Sequence, residues 1–313
     1  MARRVYVDTA WKSKPHTCYD PVEDRFFEVE DLAELAEKYN KVYIDSTLFP
    51  NMWPQLKALI DNGVRVFYFT RPWTWRRWRE KYANELKAKF GRKKTDYGDA
   101  YILSRIHEYK PRLFKEITPL DVEFKPLLMK ERRASKVLMG LRRMRMLGID
   151  VENEIKNHEE WLKKVRGEIV ENAMEKIPGF MEIAEELGLN SNDINALSAL
   201  AGLLIYLRWP YEVSSFHRAK RLLGLYKPTR EEVRRFEERS GEKYGKRYSR
   251  YARRCLNSLT IAILRKESGA FLPRAKDEKE VLRKLLRILR TYDELAKRVE
   301  EQDKSPDELW SSY

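Results

Sequence analysis

Over roughly its first 120 residues the chain alternates short β-branched and aromatic runs with amphipathic segments, and beyond Pro119 that alternation stops. The change of period constrains the fold strongly. A run that hides every second residue is built for a strand, and one that hides every third or fourth is built for a helix. RVYVDTAW reads as a strand around Asp8. HTCY and DRFFEVE read as two further strands joined by the turn PVED. DLAELAEKY is a short amphipathic helix with Leu32, Leu35 and Tyr39 on one face. KVYID is a buried-type strand ending at Asp45, and NMWPQLKALIDNG begins as a turn and continues as a helix stopped at Gly63. VRVFYF is another strand, followed by one helix from about Trp75 and a second near Thr95. Three strands in a meander followed by crossovers predict a mixed sheet with helices on both faces.

That strand order is the order of the ribonuclease-H-like fold, and the remainder is all-α. Leu127, Ala134, Leu138, Leu141, Met144, Ile149, Ile155, Trp161, Val165 and Ile169 keep helical spacing. They predict one or two long helices forming a coiled-coil arm. Lys176 to Gly269 reads as a compact helical unit broken by IPGF, LNSND and GLYKP. Asp277 to Glu300 is an amphipathic helix carrying Val281, Leu282, Leu285, Leu286 and Leu289, and SPDELWSSY reads as a frayed end. The expected segments are 1–118, 119–175, 176–275 and 276–313.

Composition narrows the partners. Lys and Arg total 63 against 49 acids, a net charge of +14, which points to a polyanionic partner: nucleic acid, an anionic membrane surface or an acidic protein. Cys18 and Cys255 are far apart, and no CxxC occurs. His16, His107, His158 and His217 form no i,i+4 pair, so a thiolate or imidazole metal site is not expected. No apolar run is long enough to span a bilayer. The N-terminus lacks a signal-peptide core, and the expected location is cytoplasmic and nucleoid-associated.

Asp96 and Asp99 lie one turn apart behind Thr95, a plausible N-cap, at the positive end of a helix dipole. The pair can be a solvated helix start or half of a hard-cation site. Asp8 sits in an otherwise apolar strand, where a carboxylate needs an arginine or a metal beside it. Asp45 can cap its strand or serve as a ligand. In the expected sheet the first and fourth strands are neighbours, so all four carboxylates could converge around Mg²⁺, which prefers oxygen.

VYVDTAW, VYIDSTLFPNMWPQLKALIDNGVRVFYFTRP and KKTDYGDAYIL resemble the N-terminal domain of DEDD-type insertion-sequence transposases. These include the Piv-like DNA invertases and the bridge-RNA-guided recombinases of the insertion-sequence one-ten family. The most specific match is KTDxxDA, Lys94 to Ala100. The resemblance implies a RuvC-like domain with Asp8, Asp45, Asp96 and Asp99 holding Mg²⁺ or Mn²⁺. It departs from the family at Asp45, where Glu is usual. More loosely, IPGF (Ile177–Phe180) and SSFHRAKRLLGLYKP resemble family segments of a helical C-terminal transposase domain. The family nucleophile then falls on Ser240, followed by Gly241, with Ser249 as a rival. The implied partners are DNA and, in guided members, a structured noncoding guide RNA. The implied assembly is a homodimer or homotetramer with a composite active site.

Two basic stretches are candidates for the nucleic-acid face. RPWTWRRWREKYANELKAKFGRKK interleaves Trp73, Trp75 and Trp78 with Arg71, Arg76, Arg77, Arg79, Arg92, Lys93 and Lys94. KYGKRYSRYARR supplies Lys243, Lys246, Arg247, Arg250, Arg253 and Arg254, with Tyr244, Tyr248 and Tyr251 either stacking on bases or packed in the core. Three functions are compatible with this sequence: a transposase or site-specific recombinase, a junction-resolvase-type metal nuclease using water, and a non-catalytic nucleic-acid-binding descendant of a transposase.

Overall fold

The computed structural model describes residues 3–10, 14–45, 51–92, 94–240, 248–268 and 273–302. Lys93, Gly241, Lys243, Tyr244, Lys246, Arg247 and the SPDELWSSY tail lie outside the described residues. The chain divides into two compact units, Met1–Pro126 and Leu127–Tyr313.

The first unit is built on a six-stranded mixed sheet in the order β3-β2-β1-β4-β5-β6. Its strands are β1 (Arg4–Asp8), β2 (His16–Asp20), β3 (Arg25–Val29), β4 (Lys41–Ile44), β5 (Arg65–Phe69) and β6 (Phe114–Ile117). β1, β2 and β3 form the antiparallel meander, while β1–β4 and β4–β5 are parallel. β6 adds antiparallel to β5 and has no counterpart in the sequence reading, since FKEI carries a Lys–Glu pair at its centre in place of an apolar run. A cross-strand pair from Arg65 Nε and Nη2 to Glu116, at 2.7 and 2.8 Å, ties it in place.

The helices of this unit are α1 (Met52–Asp61), α2 (Trp75–Lys81), α3 (Ala83–Phe90) and α4 (Asp96–Tyr109). The expected DLAELAEKY helix is a 3-10 turn over Leu32–Glu37, closed by a reciprocal capping box between Asp31 and Glu34. Register places one aromatic row across five strands: Phe26, Tyr19, Tyr6, Tyr43 and Phe67 are successive cross-strand partners. Tyr19–Phe26, Tyr6–Tyr43 and Tyr43–Phe67 stack with centroids 4.6, 5.1 and 4.9 Å apart. Such pairs contribute about 0.5–1.5 kcal/mol each beyond their buried area. α4 packs on β1 and β2, burying Ile102, Leu103 and Ile106 in the same core cluster as Tyr6, Tyr19 and Tyr43. Val5, Val7, Val42 and Ile44 alternate to the opposite face and are fully buried.

α5 (Pro119–Met146) starts at the expected change of period and runs through the division between the units. It is followed by α6 (Glu152–Lys176). In the second unit the two form an antiparallel hairpin. Ala134, Leu138 and Leu141 meet Val151, Ile155 and Leu162, and Arg142–Glu159 is paired at 2.6 Å. Next come α7 (Phe180–Leu187), α8 (Ile194–Leu207), α9 (Phe216–Leu222), α10 (Arg230–Ser240), α11 (Arg250–Ser268) and α12 (Ala275–Gln302). α8 is apolar on nearly every side and forms the centre, with α6 and α11 against it. Gly202 allows the close approach of α11, since a Cβ there would meet Cys255 Sγ at 3.1 Å. α12 buries Val281, Leu282, Leu285, Leu286 and Leu289 and packs on α7, α9 and α11. The segments that the sequence separates at 175 and 275 thus belong to one unit. Helical spacing shows that a face is apolar, and not which helix covers it.

Candidate metal centre at the carboxyl end of the sheet

Alternation decides which way the strand carboxylates face. Asp8 follows Tyr6 by two residues on β1, and Asp45 follows Tyr43 by two just past β4. Both therefore share the face covered by α4. Tyr6 and Tyr43 are register partners, so Asp8 and Asp45 leave adjacent parallel strands side by side, and the Asp45 N–H donates to Val7 O at 3.2 Å. Thr9 holds Asp45: its N–H and hydroxyl both donate to Oδ1, at 2.9 and 2.5 Å.

The third carboxylate comes from the covering helix. Thr95 caps α4 by accepting from the Gly98 N–H at 2.8 Å. The helix then turns Asp99 inward on the stripe that carries Ile102, Leu103 and Ile106, leaving it 5% exposed, while Asp96 is exposed at the first position. Charge records the convergence. Burial, followed by repulsion from Asp45, Asp99 and Asp96, pushes the Asp8 carboxyl up to about 9. Burial also raises Asp45, to about 6, although its hydrogen bonds from Thr9 oppose the shift.

Arg79, from α2, supplies the counter-charge. Its Nε donates to Asp99 Oδ1 at 2.8 Å and its Nη2 to Oδ2, a bidentate pair, while its guanidinium lies 5.4 Å from the Trp75 ring centroid. The hydrogen bond to Asp99 raises the Arg79 pKa. As they stand, no three or more His, Cys, Asp or Glu side chains among the described residues are arranged to hold a metal ion. Asp99 is turned to the guanidinium. The carboxylates are hard oxygen donors under mutual repulsion, the donor type that Mg²⁺ and Mn²⁺ take. The structure brings Asp8, Asp45 and Asp99 together with Asp96 close by, and it adds Thr9 and Arg79 as residues of the site. Thr9 had no sequence signal, and Arg79, expected on the nucleic-acid face, is instead committed to Asp99. Arg79 lies twenty positions from Asp99 and reads as one cation among many.

His16 holds the backbone at Ala10. Its Nδ1 accepts from the Ala10 N–H at 3.0 Å, so Nε2 carries the proton and donates to Gln55 Oε1 at 3.1 Å. Burial holds its pKa below the ordinary value.

The basic residues divide by commitment. Arg253 is paired to buried Glu278 and donates to Leu223 O at 3.1 Å; Arg254 is paired to buried Glu131. Arg76 is exposed and pairs with Glu80 at 3.0 Å, and Arg71 is half-buried with its carbonyl accepting from the Thr74 hydroxyl at 2.7 Å. Arg92, Lys94 and Arg250 are exposed, and so is Arg77, which is engaged by a neighbour. Of the tryptophans, Trp78 is core, Trp75 packs on Phe69 and Trp73 is 63% exposed. Tyr251 is buried against Tyr206, so its ring belongs to the core. Ser240 closes α10, with its side chain outside the description. Ser249 caps α11, its hydroxyl accepting from the Ala252 N–H at 3.1 Å.

No protein-family model matches the chain, and no curated protein matches it. Function is therefore read from this geometry.

Proposed function

We propose that the first unit is a RuvC-like, ribonuclease-H-like domain for divalent-metal phosphodiester chemistry, and that the chain is a DNA transposase or site-specific recombinase. One observation carries the reading: two carboxylates leave neighbouring parallel strands side by side, beneath a third from the covering helix. Asp8, Asp45, Asp96 and Asp99 would hold Mg²⁺ or Mn²⁺, with Arg79 giving up Asp99 as the ion enters. Bound ions supply Lewis acidity and stabilise charge on the transferring phosphoryl group. Arg77, Arg92 and Lys94 gather the DNA, and Thr9 fixes the Asp45 carboxylate. Ser240 is the nucleophile that the resemblance assigns: its oxygen bonds to phosphorus, and a strand-end hydroxyl leaves. The same resemblance supplies the homo-oligomer, the guide RNA and the coiled-coil role of the α5–α6 hairpin.

A junction-resolvase-type nuclease with water as nucleophile is the second reading. All four carboxylates fall in the first unit, which favours it. Incubating the protein with branched or supercoiled DNA in Mg²⁺ or Mn²⁺ separates the two. A recombinase loses cleavage in Ser240→Ala, whereas a resolvase keeps it, and both lose it in Asp8→Asn. Cleavage that persists in Asp8→Asn, or binding without cleavage by the native protein, would sink the catalytic reading and leave a nucleic-acid-binding protein. As a readout apart from activity, Mn²⁺ should raise Tm in the native protein and raise it further in Arg79→Met, where the competing guanidinium is gone. An equal response in Asp8→Asn would place the ion elsewhere.

A further inference from the structure

The second unit contains a cavity of about 530 Å³ among α5, α6, the start of α8 and α11, and it plays no part in the function proposed above. Its size is in the range of small-molecule sites. Its wall carries four cations, Arg142, Lys163, Arg166 and Arg254, against two acids, Glu159 and Asp193. Both acids are engaged. Glu159 pairs with Arg142 at 2.6 Å, and Asp193 accepts from the Ala196 N–H at 3.0 Å as the cap of α8.

The other arginines are held in place from behind. Glu131 is 4% exposed, and it accepts from Arg166 Nη2 at 2.9 Å, from Arg254 Nη2 and from the Ser135 hydroxyl at 2.9 Å. Arg166 Nη1 also donates to Asn195 Oδ1 at 2.6 Å. One carboxylate thus fixes two guanidiniums and neutralises one of them. A guanidinium has five N–H donors, so each keeps donors beyond these contacts. Lys163 is exposed on the same wall. A cavity with surplus positive charge, preset guanidiniums and the Ser258 hydroxyl matches an oxyanion with several acceptor oxygens. Leu138, Leu162 and Ile194 line the same space and give it an apolar wall that a bare inorganic anion would not use.

We propose that this cavity binds a phosphoester, with the phosphate at Lys163, Arg166 and Arg254 and the organic group against Leu138, Leu162 and Ile194. The phosphate could come from a free nucleotide or from a nucleic-acid backbone, and both present the same oxyanion. The inference stands whether or not the acidic site is catalytic.

The test is calorimetric titration of the full-length protein at low salt with adenosine monophosphate, adenosine, inorganic phosphate and a short single-stranded oligonucleotide. Adenosine monophosphate or the oligonucleotide should saturate, adenosine should not, and inorganic phosphate should bind more weakly than the ester. Preference for the mononucleotide identifies a free ligand, and preference for the oligonucleotide identifies backbone binding. Lys163→Ala removes an exposed side chain and should weaken binding roughly tenfold or more, the worth of a charge-assisted contact. Arg166→Met should do the same, and Lys163→Ala remains decisive if that variant is unstable. Saturable binding unchanged in Lys163→Ala, or no saturable binding by any phosphate-bearing probe, overturns the proposal.

Discussion

Asp8 and His107 pull the stability of the first unit in opposite directions with pH. An unfolded Asp titrates near 4 and Asp8 in the fold near 9, so the fold favours its protonated form. The stability it contributes is complete below about pH 4 and is lost as pH rises toward 9. His107 lies 4.1 Å from Tyr43 between ring centroids and is hydrogen-bonded to the Tyr6 hydroxyl at 2.8 Å. Burial, aided by Arg4, holds its pKa down at about 4, against 6.5 ordinarily. Its contribution is complete above about pH 6.5 and is lost as pH falls toward 4. Without added metal, Asp8→Asn should flatten the alkaline limb of stability against pH and leave the acid limb in place. Urea titrations from pH 5 to 9 would show this, and an unchanged alkaline slope would mean that burial and the neighbouring acids do not raise Asp8.

The elements were more legible than the contacts between them. Strand identity, the order of the meander and crossovers, and the Thr95 cap follow from alternation and turn chemistry, all of which are local. Even the facing of Asp8 and Asp45 follows once the register of Tyr6 with Tyr43 is known, but register is a long-range fact. β6 was missed because FKEI, unlike the equally short KVYI, has adjacent opposite charges at its centre and no apolar run. The Arg79–Asp99 pair and the Glu131 node were missed because no local rule selects one arginine among so many. The cap offers a sharp test. A Cβ at Gly98 would lie 2.8 Å from Thr95 Oγ1 and 3.2 Å from Leu86 Cδ2, so Gly98→Ala must dislodge the capping hydroxyl that orients Asp99. Loss of such a cap costs about 1 kcal/mol. The helix preference for alanine, up to about 1 kcal/mol, offsets that loss, so thermal unfolding should show Gly98→Ala no more stable than the native protein. A gain in Tm would show that the cap is dispensable.

At the scale of the whole molecule the net charge of +14 dominates, although several cations are committed inside the fold. Binding to nucleic acid should therefore depend on those left exposed. Affinity for duplex DNA should fall with salt on a log–log slope of about −0.9 per phosphate contacted. Arg92→Ala combined with Lys94→Ala should make that slope shallower by up to about two contacts in a salt series of binding isotherms. A flat salt response would argue against a phosphate-tracking face. The four acids, Thr95 and Arg79 all precede residue 100, and the unit that holds them closes at Pro126. During translation the acidic end can therefore be assembled before the ribosome has made α6. The nascent chain would then carry Asp99 already paired to Arg79, well before Ser240 has been synthesised.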